Sequence, residues 1–239
     1  PIMLDAEALR EAISRVSHAM AQADVRYYLN GLCLGVADGS FVAVASDGHR
    51  LALSESAIEG GALEPIIIPR ESTLELIKLL KDCKEPVALT RRGSAIAVNM
   101  GDVTFWAKLI EGRYPDWRRV MPKECTRSLN CDRAALQAAL ARATVVVAGD
   151  KFPLVVFRAR AGEVEIAASS SETQTSAETL AVEYDGEPME VGFNARYLTE
   201  TLAALEGDNV TVKFPAALGS SVWTGDAAGH REIVMPMRM

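Results

Sequence analysis

One order of structural elements occurs twice along the 239-residue chain. Asp5 suits the cap of a first helix, because a short carboxylate can accept from the free amides of the opening turn. Leu9, Ala12, Ile13, Val16 and Met20 follow at spacings that stack on one helical face, with Glu11, Arg15, His18 and Gln22 opposite. β-rich runs come next at residues 27–36, 41–46 and 51–54, the first two joined by the hairpin signal Asp38-Gly39. A short apolar strand at 65–68 is ended by Pro69, and a second helix starts near Arg70 with Leu74, Ile77 and Leu80 as its stripe. Strands at 95–100 and 103–110 meet at Gly101-Asp102. The pattern then restarts. Asp132 or Asn130 caps a third helix with Leu136, Leu140 and Ala143 inside, and strands follow at 154–159, 164–169 and 180–184, with turns at Ala161-Gly162 and Asp185-Gly186. After a short strand at 190–193, Asn194 caps a fourth helix that buries Leu198, Leu202 and Leu205 and stops at Gly207. Strands at 209–214, 220–224 and 232–235 end the chain. Asp5 to Arg70 is 65 residues and Asp132 to Asn194 is 62. Such a period marks a duplicated architecture. The expectation is an α+β chain of two similar domains, 1–121 and 122–239, each with two helices on antiparallel sheet, joined by a connector at 118–127 that carries Pro122.

Composition narrows the function. With 25 basic and 32 acidic residues the net charge is −7, and 49% of the chain is apolar, enough for a packed core. Disorder, coiled coil and a disulfide framework are excluded, as is a protein that holds DNA by net positive charge alone. The four helical segments, 6–28, 70–84, 131–151 and 194–208, together carry 11 basic and 11 acidic residues, so the whole net charge lies outside them. A polyanion could meet those neutral faces while the remaining surface repels it. Cys33, Cys83, Cys125 and Cys131 form no Cys-x-x-Cys pair, and with three histidines they offer no zinc spacing, so no metal or cofactor is expected. The few cysteines, the lack of an apolar run of 18 residues and the absence of a leader at residues 1–5 make the cytoplasm the expected location, with no membrane partner. Ser46, Asp47 and His49 are the residue types of a hydrolase triad, but triad members converge from distant segments, and Gly48 among them reads as a turn. No Walker loop or Gly-x-Gly-x-x-Gly is present. No enzyme is expected.

Four segments carry a resemblance: Asp24-Val25-Arg26-Tyr27-Tyr28-Leu29-Asn30-Gly31, Ala45-Ser46-Asp47-Gly48-His49-Arg50-Leu51-Ala52, Gly112-Arg113-Tyr114-Pro115-Asp116-Trp117-Arg118-Arg119-Val120 and Val234-Met235-Pro236-Met237-Arg238-Met239. In this order they resemble the bacterial sliding clamp family, the DNA polymerase III beta subunit. The resemblance implies the DNA-clamp (processivity) fold and a DNA-binding processivity factor of replication that encircles duplex DNA and tethers DNA polymerases. Family members have three domains per protomer and close six-domain rings from two protomers; this chain resembles the second and third domains alone. Three such chains would again supply six domains, so the implied homo-oligomer is a trimeric ring. The alternative is a non-encircling fragment or regulator that binds clamp-binding peptides and sequesters polymerases.

The resemblance also implies residue roles. Arg26, Tyr27 and Tyr28 would lie near DNA, with Arg70 and Lys78 on the second helix, and Arg10, Arg15, Arg133, Arg142 and Arg196 are added as basic residues on the presumed lining helices. From pattern alone, Tyr27 and Tyr28 are equally alternate strand positions, one of them buried. Ala23 and Glu71 stand where the family often has polar and basic residues, which lowers the expected DNA affinity. A peptide-binding pocket for polymerases, the clamp loader and repair proteins would be walled by Leu29, Ser46, Gly48, His49, Arg50, Leu51, Pro115, Arg119 and Val120 from the first half. The second half would add Asn194, Tyr197, Val222, Ile233, Met235, Pro236, Met237, Arg238 and Met239. Adaptable methionines suit a surface that serves many partners. Without the resemblance, Met235-Pro236-Met237 reads as a frayed apolar terminus.

Overall fold

The computed structural model describes residues 1–170 and 174–239. It divides into two compact units between Trp117 and Arg118, four residues ahead of the expected boundary. In the first unit β1 (Ile2–Leu4) leads into α1 (Ala6–Ser17), followed by β2 (Gly31–Ala37), β3 (Ser40–Ser46), β4 (Arg50–Ala57) and β5 (Leu63–Pro69), then α2 (Arg70–Lys81) and β6 (Val87–Arg92), β7 (Ala95–Met100) and β8 (Val103–Lys108). The second unit repeats this with β9 (Arg127–Asp132), α3 (Arg133–Ala143), β10 (Leu154–Arg160), β11 (Glu163–Ser169), β12 (Thr175–Ala181), β13 (Met189–Asn194), α4 (Ala195–Ala204), β14 (Asn209–Phe214), β15 (Ser221–Thr224) and β16 (His230–Val234).

The strand orders match as well. The first unit holds β1-β6-β7-β8 and the run β5-β2-β3-β4; the second holds β9-β14-β15-β16 and β13-β10-β11-β12, all antiparallel. In each unit the helices pack on the sheets and on each other. Asp5 accepts from the Ala8 amide at 2.9 Å and Asp132 from the Ala135 amide at 2.6 Å, so equivalent carboxylates start equivalent helices. Asn194 does the same for α4 through the Arg196 amide at 3.0 Å. Leu9, Ala12, Ile13 and Val16 bury the inner face of α1 in the first core. The second core is built round Phe157, Phe193 and Trp223, whose rings meet edge to face at 5.6–6.1 Å between centroids. Asp38 and Gly39 both take positive φ, 51° and 73°, the geometry a two-residue hairpin of this hand requires.

The differences from the sequence reading have local causes. The expected strand at 27–36 begins only at Gly31, because Tyr27–Leu29 is a turn of 3-10 helix. Asn30 closes that loop by accepting from the Asp24 amide at 2.8 Å and donating to the Asp24 carbonyl at 2.9 Å. Helix α2 buries Thr73, Leu76 and Leu80 and leaves Leu74 exposed and Ile77 half-buried. Thr73 can turn inward because its hydroxyl donates to the carbonyls of Ile68 and Pro69 at 3.3 and 3.0 Å. Strands β1, β6 and β9 add to the expected set, and β9 takes up the last residue of the presumed connector. The strand expected at 180–184 runs instead over Thr175–Ala181, and only Glu183 beyond it makes a bridge, to Asn130. Helix α4 is ended by Leu205, which turns to extended backbone two residues before Gly207. Among the described residues, no helix is long and apolar enough to cross a membrane.

Candidate nucleic-acid and peptide-binding surfaces

In the first unit, the loop 24–30 and the turn 46–51 are fastened together by arginine. The turn is built from its own side chains: the Asp47 carboxylate accepts from the amides of His49 and Arg50 at 2.9 and 3.1 Å, and Ser46 Oγ accepts from the Gly48 amide and donates to the Arg50 carbonyl. Arg50 is buried; its Nε donates to Asp47 at 3.1 Å and its Nη2 to the His18 carbonyl at 2.9 Å, at the end of α1. Arg26 reaches across from the loop. Its guanidinium holds both oxygens of Asp24 at 2.7–2.9 Å and donates to the Asp47 carbonyl at 3.1 Å. Gly48 sits beneath it at φ 89°, where a Cβ would come within 2.5 Å of Arg26 Nη2. The backbone conformation favours glycine there, and a side chain would also have to displace the overlying guanidinium. This pairing holds the Asp24 carboxyl down to about 2.

The sequence-derived candidates therefore divide. Tyr27 is exposed and Tyr28 half-buried, their rings edge to face at 5.7 Å, so neither is a core strand residue. Arg10 pairs with Glu7, Arg15 with Glu11 and Lys78 with Glu75, each along its own helix, and Arg142 of α3 pairs with Glu178 of β12. Arg70 donates to the Met20 carbonyl at 3.1 Å, and Arg196 to that of Asp150 at 3.5 Å. Arg133 donates to the Gly207 and Leu202 carbonyls at 2.7 and 3.2 Å and so caps the end of α4. Each basic candidate thus already has an intramolecular partner. Among the peptide-site candidates, Leu29, Leu51 and Ile233 are buried, as is Arg50, while His49, Pro115, Arg119 and Val120 are exposed. Arg119 and Val120 fall in the second unit, not the first.

The tail of the second unit is ordered, not frayed. The Met237 amide donates to the Gly192 carbonyl at 2.8 Å, so the tail lies as a one-residue bridge along β13. Met235 and Met239 are exposed, Pro236 and Met237 half-buried, and Arg238 exposed. Tyr197 and Asn194, at the start of α4, and Val222 on β15 are half-buried. Gly192 makes the seat: a Cβ there would lie 2.8 Å from the Met237 carbonyl oxygen and 3.0 Å from both Leu154 Cδ1 and Met239 Cγ. Gly192 and Leu154 have no role in the sequence reading, and Asp24 enters it only within the segment that carries the resemblance. The available signal was a lone glycine inside a strand, which marks close backbone approach. Among the described residues no three histidine, cysteine or carboxylate side chains cluster as metal ligands.

Residues 3–116 match the central domain of the DNA polymerase III beta subunit, and residues 118–238 match its C-terminal domain. The chain belongs to this family. It is 37% identical to the beta sliding clamp of Pseudomonas putida over 241 residues, 99% of this chain and 65% of that protein. A crystal structure of the Pseudomonas aeruginosa DNA polymerase sliding clamp superposes with a TM-score of 0.94 at 33% identity, over 99% of this chain and 65% of that one. A second, of the P. aeruginosa clamp bound to griselimycin, superposes at 0.93. The chain thus spans about two thirds of the length of the beta clamps it matches. Its fold is the sliding-clamp fold, with the duplicated unit seen from the sequence as the family's domain.

Proposed function

We propose that this beta-clamp chain is a non-enzymatic DNA sliding clamp that encircles duplex DNA and tethers DNA polymerases, and that it closes head to tail as a trimer of two-domain chains. The observation that carries this reading is the repetition of one clamp domain over the whole chain, with matching strand orders in both units. Identical units joined by one kind of contact close into a ring when the rotation per unit divides a full turn, and six clamp domains come from three chains. Retention on DNA is then topological. The intramolecular pairing of Arg10, Arg15, Lys78 and Arg142 suits it, since cations already partnered slide past phosphates with little friction. Tyr27, Tyr28, Arg26, Arg70, Arg133 and Arg196 complete the DNA-facing set on this reading. Protein bound to a nicked circular plasmid should stay through a wash at moderate salt and leave once the plasmid is cut. Equal loss from circle and linear DNA would favour the non-encircling regulator.

Short peptides of polymerases, clamp loader and repair proteins dock, on this proposal, against the methionine tail of the second unit, with Asn194, Tyr197 and Arg238 beside it. The 46–51 turn of the first unit, with His49 at its tip, is proposed as a peptide contact in its own right. Replacing Met235 and Met237 together with Ala should weaken binding of a clamp-binding peptide tenfold or more, because each removes roughly 1–3 kcal/mol of side-chain burial. Fluorescence anisotropy with a labelled peptide reads this directly; unchanged affinity would place the site elsewhere.

A further inference from the structure

Four places in the chain set a glycine after Asp or Asn: Asn30-Gly31, Asp38-Gly39, Asp47-Gly48 and Asp185-Gly186. A following glycine has no Cβ to keep its amide nitrogen from the side-chain carbonyl carbon ahead of it, so a five-membered ring can close. Three of the four are held away from that geometry. Asn30 is tied at both ends of its amide to the Asp24 backbone, at 2.8 and 2.9 Å. The Asp47 carboxylate accepts from the His49 and Arg50 amides and from Arg50 Nε, and the Gly48 amide donates to Ser46 Oγ at 3.1 Å. Gly186 is roofed by Tyr184: a Cβ there would lie 2.7 Å from the phenol oxygen and 3.1 Å from Arg127 Cγ. The Tyr184 hydroxyl is itself anchored, donating to the Glu187 carbonyl at 2.5 Å.

Asp38-Gly39 carries none of these restraints. Both residues are exposed at the tip of the β2–β3 hairpin. Among the described residues the Asp38 carboxylate has no hydrogen bond or ion pair, and the Gly39 amide has no backbone acceptor. The Ile58 carbonyl, 3.8 Å away, is all that comes near the Cβ position of Gly39. Among the described residues Asp38 alone of the non-glycines takes a positive φ, 51°, a conformation that L side chains resist. We infer that Asp38 is a site of spontaneous isoaspartate formation. The Gly39 nitrogen attacks the side-chain carboxyl carbon of Asp38. A C–N bond forms, a C–O bond breaks, and the freed oxygen leaves as water with the amide proton and the carboxyl proton. Water then opens the succinimide ring. Attack at the side-chain carbonyl restores Asp38; attack at the main-chain carbonyl leaves Gly39 joined through the side chain. The product keeps one carboxylate but has one more backbone atom between β2 and β3. A two-residue turn sets the pairing of Ala37 with Ser40, so the added atom unseats that end of the ladder.

The test incubates the full chain in water enriched in heavy oxygen, because each ring opening fixes one oxygen from solvent whichever carbonyl is attacked. Peptide mapping by mass spectrometry then locates the label, and an isoaspartyl peptide separates from its parent by elution at equal mass. Label should enter at Asp38 about tenfold faster or more than at Asp47 or Asp185, the order by which one hydrogen bond that must first break slows a step. Asn30 should keep its amide over the same period. In Asp38→Glu, with unchanged circular dichroism, label at this position should be lost, since the ring would need a sixth member. In concentrated urea the three aspartates should label alike, because the contacts that distinguish them are gone. Label spread evenly over the three in the folded chain, or absent from Asp38, would overturn the assignment. So would a lead of Asp38 that persists undiminished in urea.

Discussion

Asp24, Arg26 and Gly48 show how much of a surface can depend on one guanidinium. The resemblance implies that Arg26 lies near DNA, yet its hydrogen bonds run inward to Asp24 and to the Asp47 carbonyl, across the bare α-carbon of Gly48. The arginine holds a turn as well as presenting a charge. Asp24 titrates at about 2 in the fold against an ordinary value of 3.8, because Arg26 stabilises its anion. The folded value is the lower one, so this interaction adds stability fully in place above the ordinary value and lost as pH falls through 2. Asp24→Asn removes the linkage. Between pH 5 and 2 the unfolding midpoint of the first unit should therefore fall less steeply in the variant than in the parent, as followed by urea titration at each pH. Parallel profiles would mean that the pair does not form in solution. In the second unit, burial pushes Cys131 up to about 11, and in the first it pushes Cys33 up to about 12, so neither thiol ionises near neutrality.

Capping and apolar periodicity make three of the four helices legible in the sequence. Asp5, Asp132 and Asn194 cap where they were expected to, and the stripes of α1, α3 and α4 face their cores. Helix α2 was legible as a helix but not in its facing, because Thr73 outcompetes Leu74 for the core once two carbonyls satisfy its hydroxyl. The strands that escaped notice are short or polar. Strand β1 has three residues, and in β9 only Leu129 is buried among Arg127, Ser128, Asn130, Cys131 and Asp132. Their ladders come from partners distant in sequence, β6 and β14, and no local pattern announces that. The tail was legible in composition alone; that it is ordered on Gly192 is a tertiary fact. Since Asp5 and Asp132 do the same work in equivalent helices, Asp5→Ala and Asp132→Ala should each cost about 1 kcal/mol. Chemical denaturation should assign the first loss to the 1–117 unit and the second to the 118–239 unit. A loss in neither would mean that these caps are redundant with packing.

At the scale of the molecule, a chain of net charge −7 does not hold a polyanion by net charge. The helices carry balanced charge and the basic candidates are already paired within the chain. That arrangement disfavours tight site-bound DNA and suits a closed ring that slides. On the proposed reading duplication supplies the means, because one domain type joined repeatedly by one contact closes on itself where the rotation per unit divides a full turn. The direct measurement is the lifetime of the protein on one linear duplex, first with open ends and then with both ends blocked by a bulky protein. Encirclement predicts rapid loss through open ends and retention extended at least tenfold by the blocks, with little dependence on salt. Equal lifetimes on open and blocked duplex would contradict it.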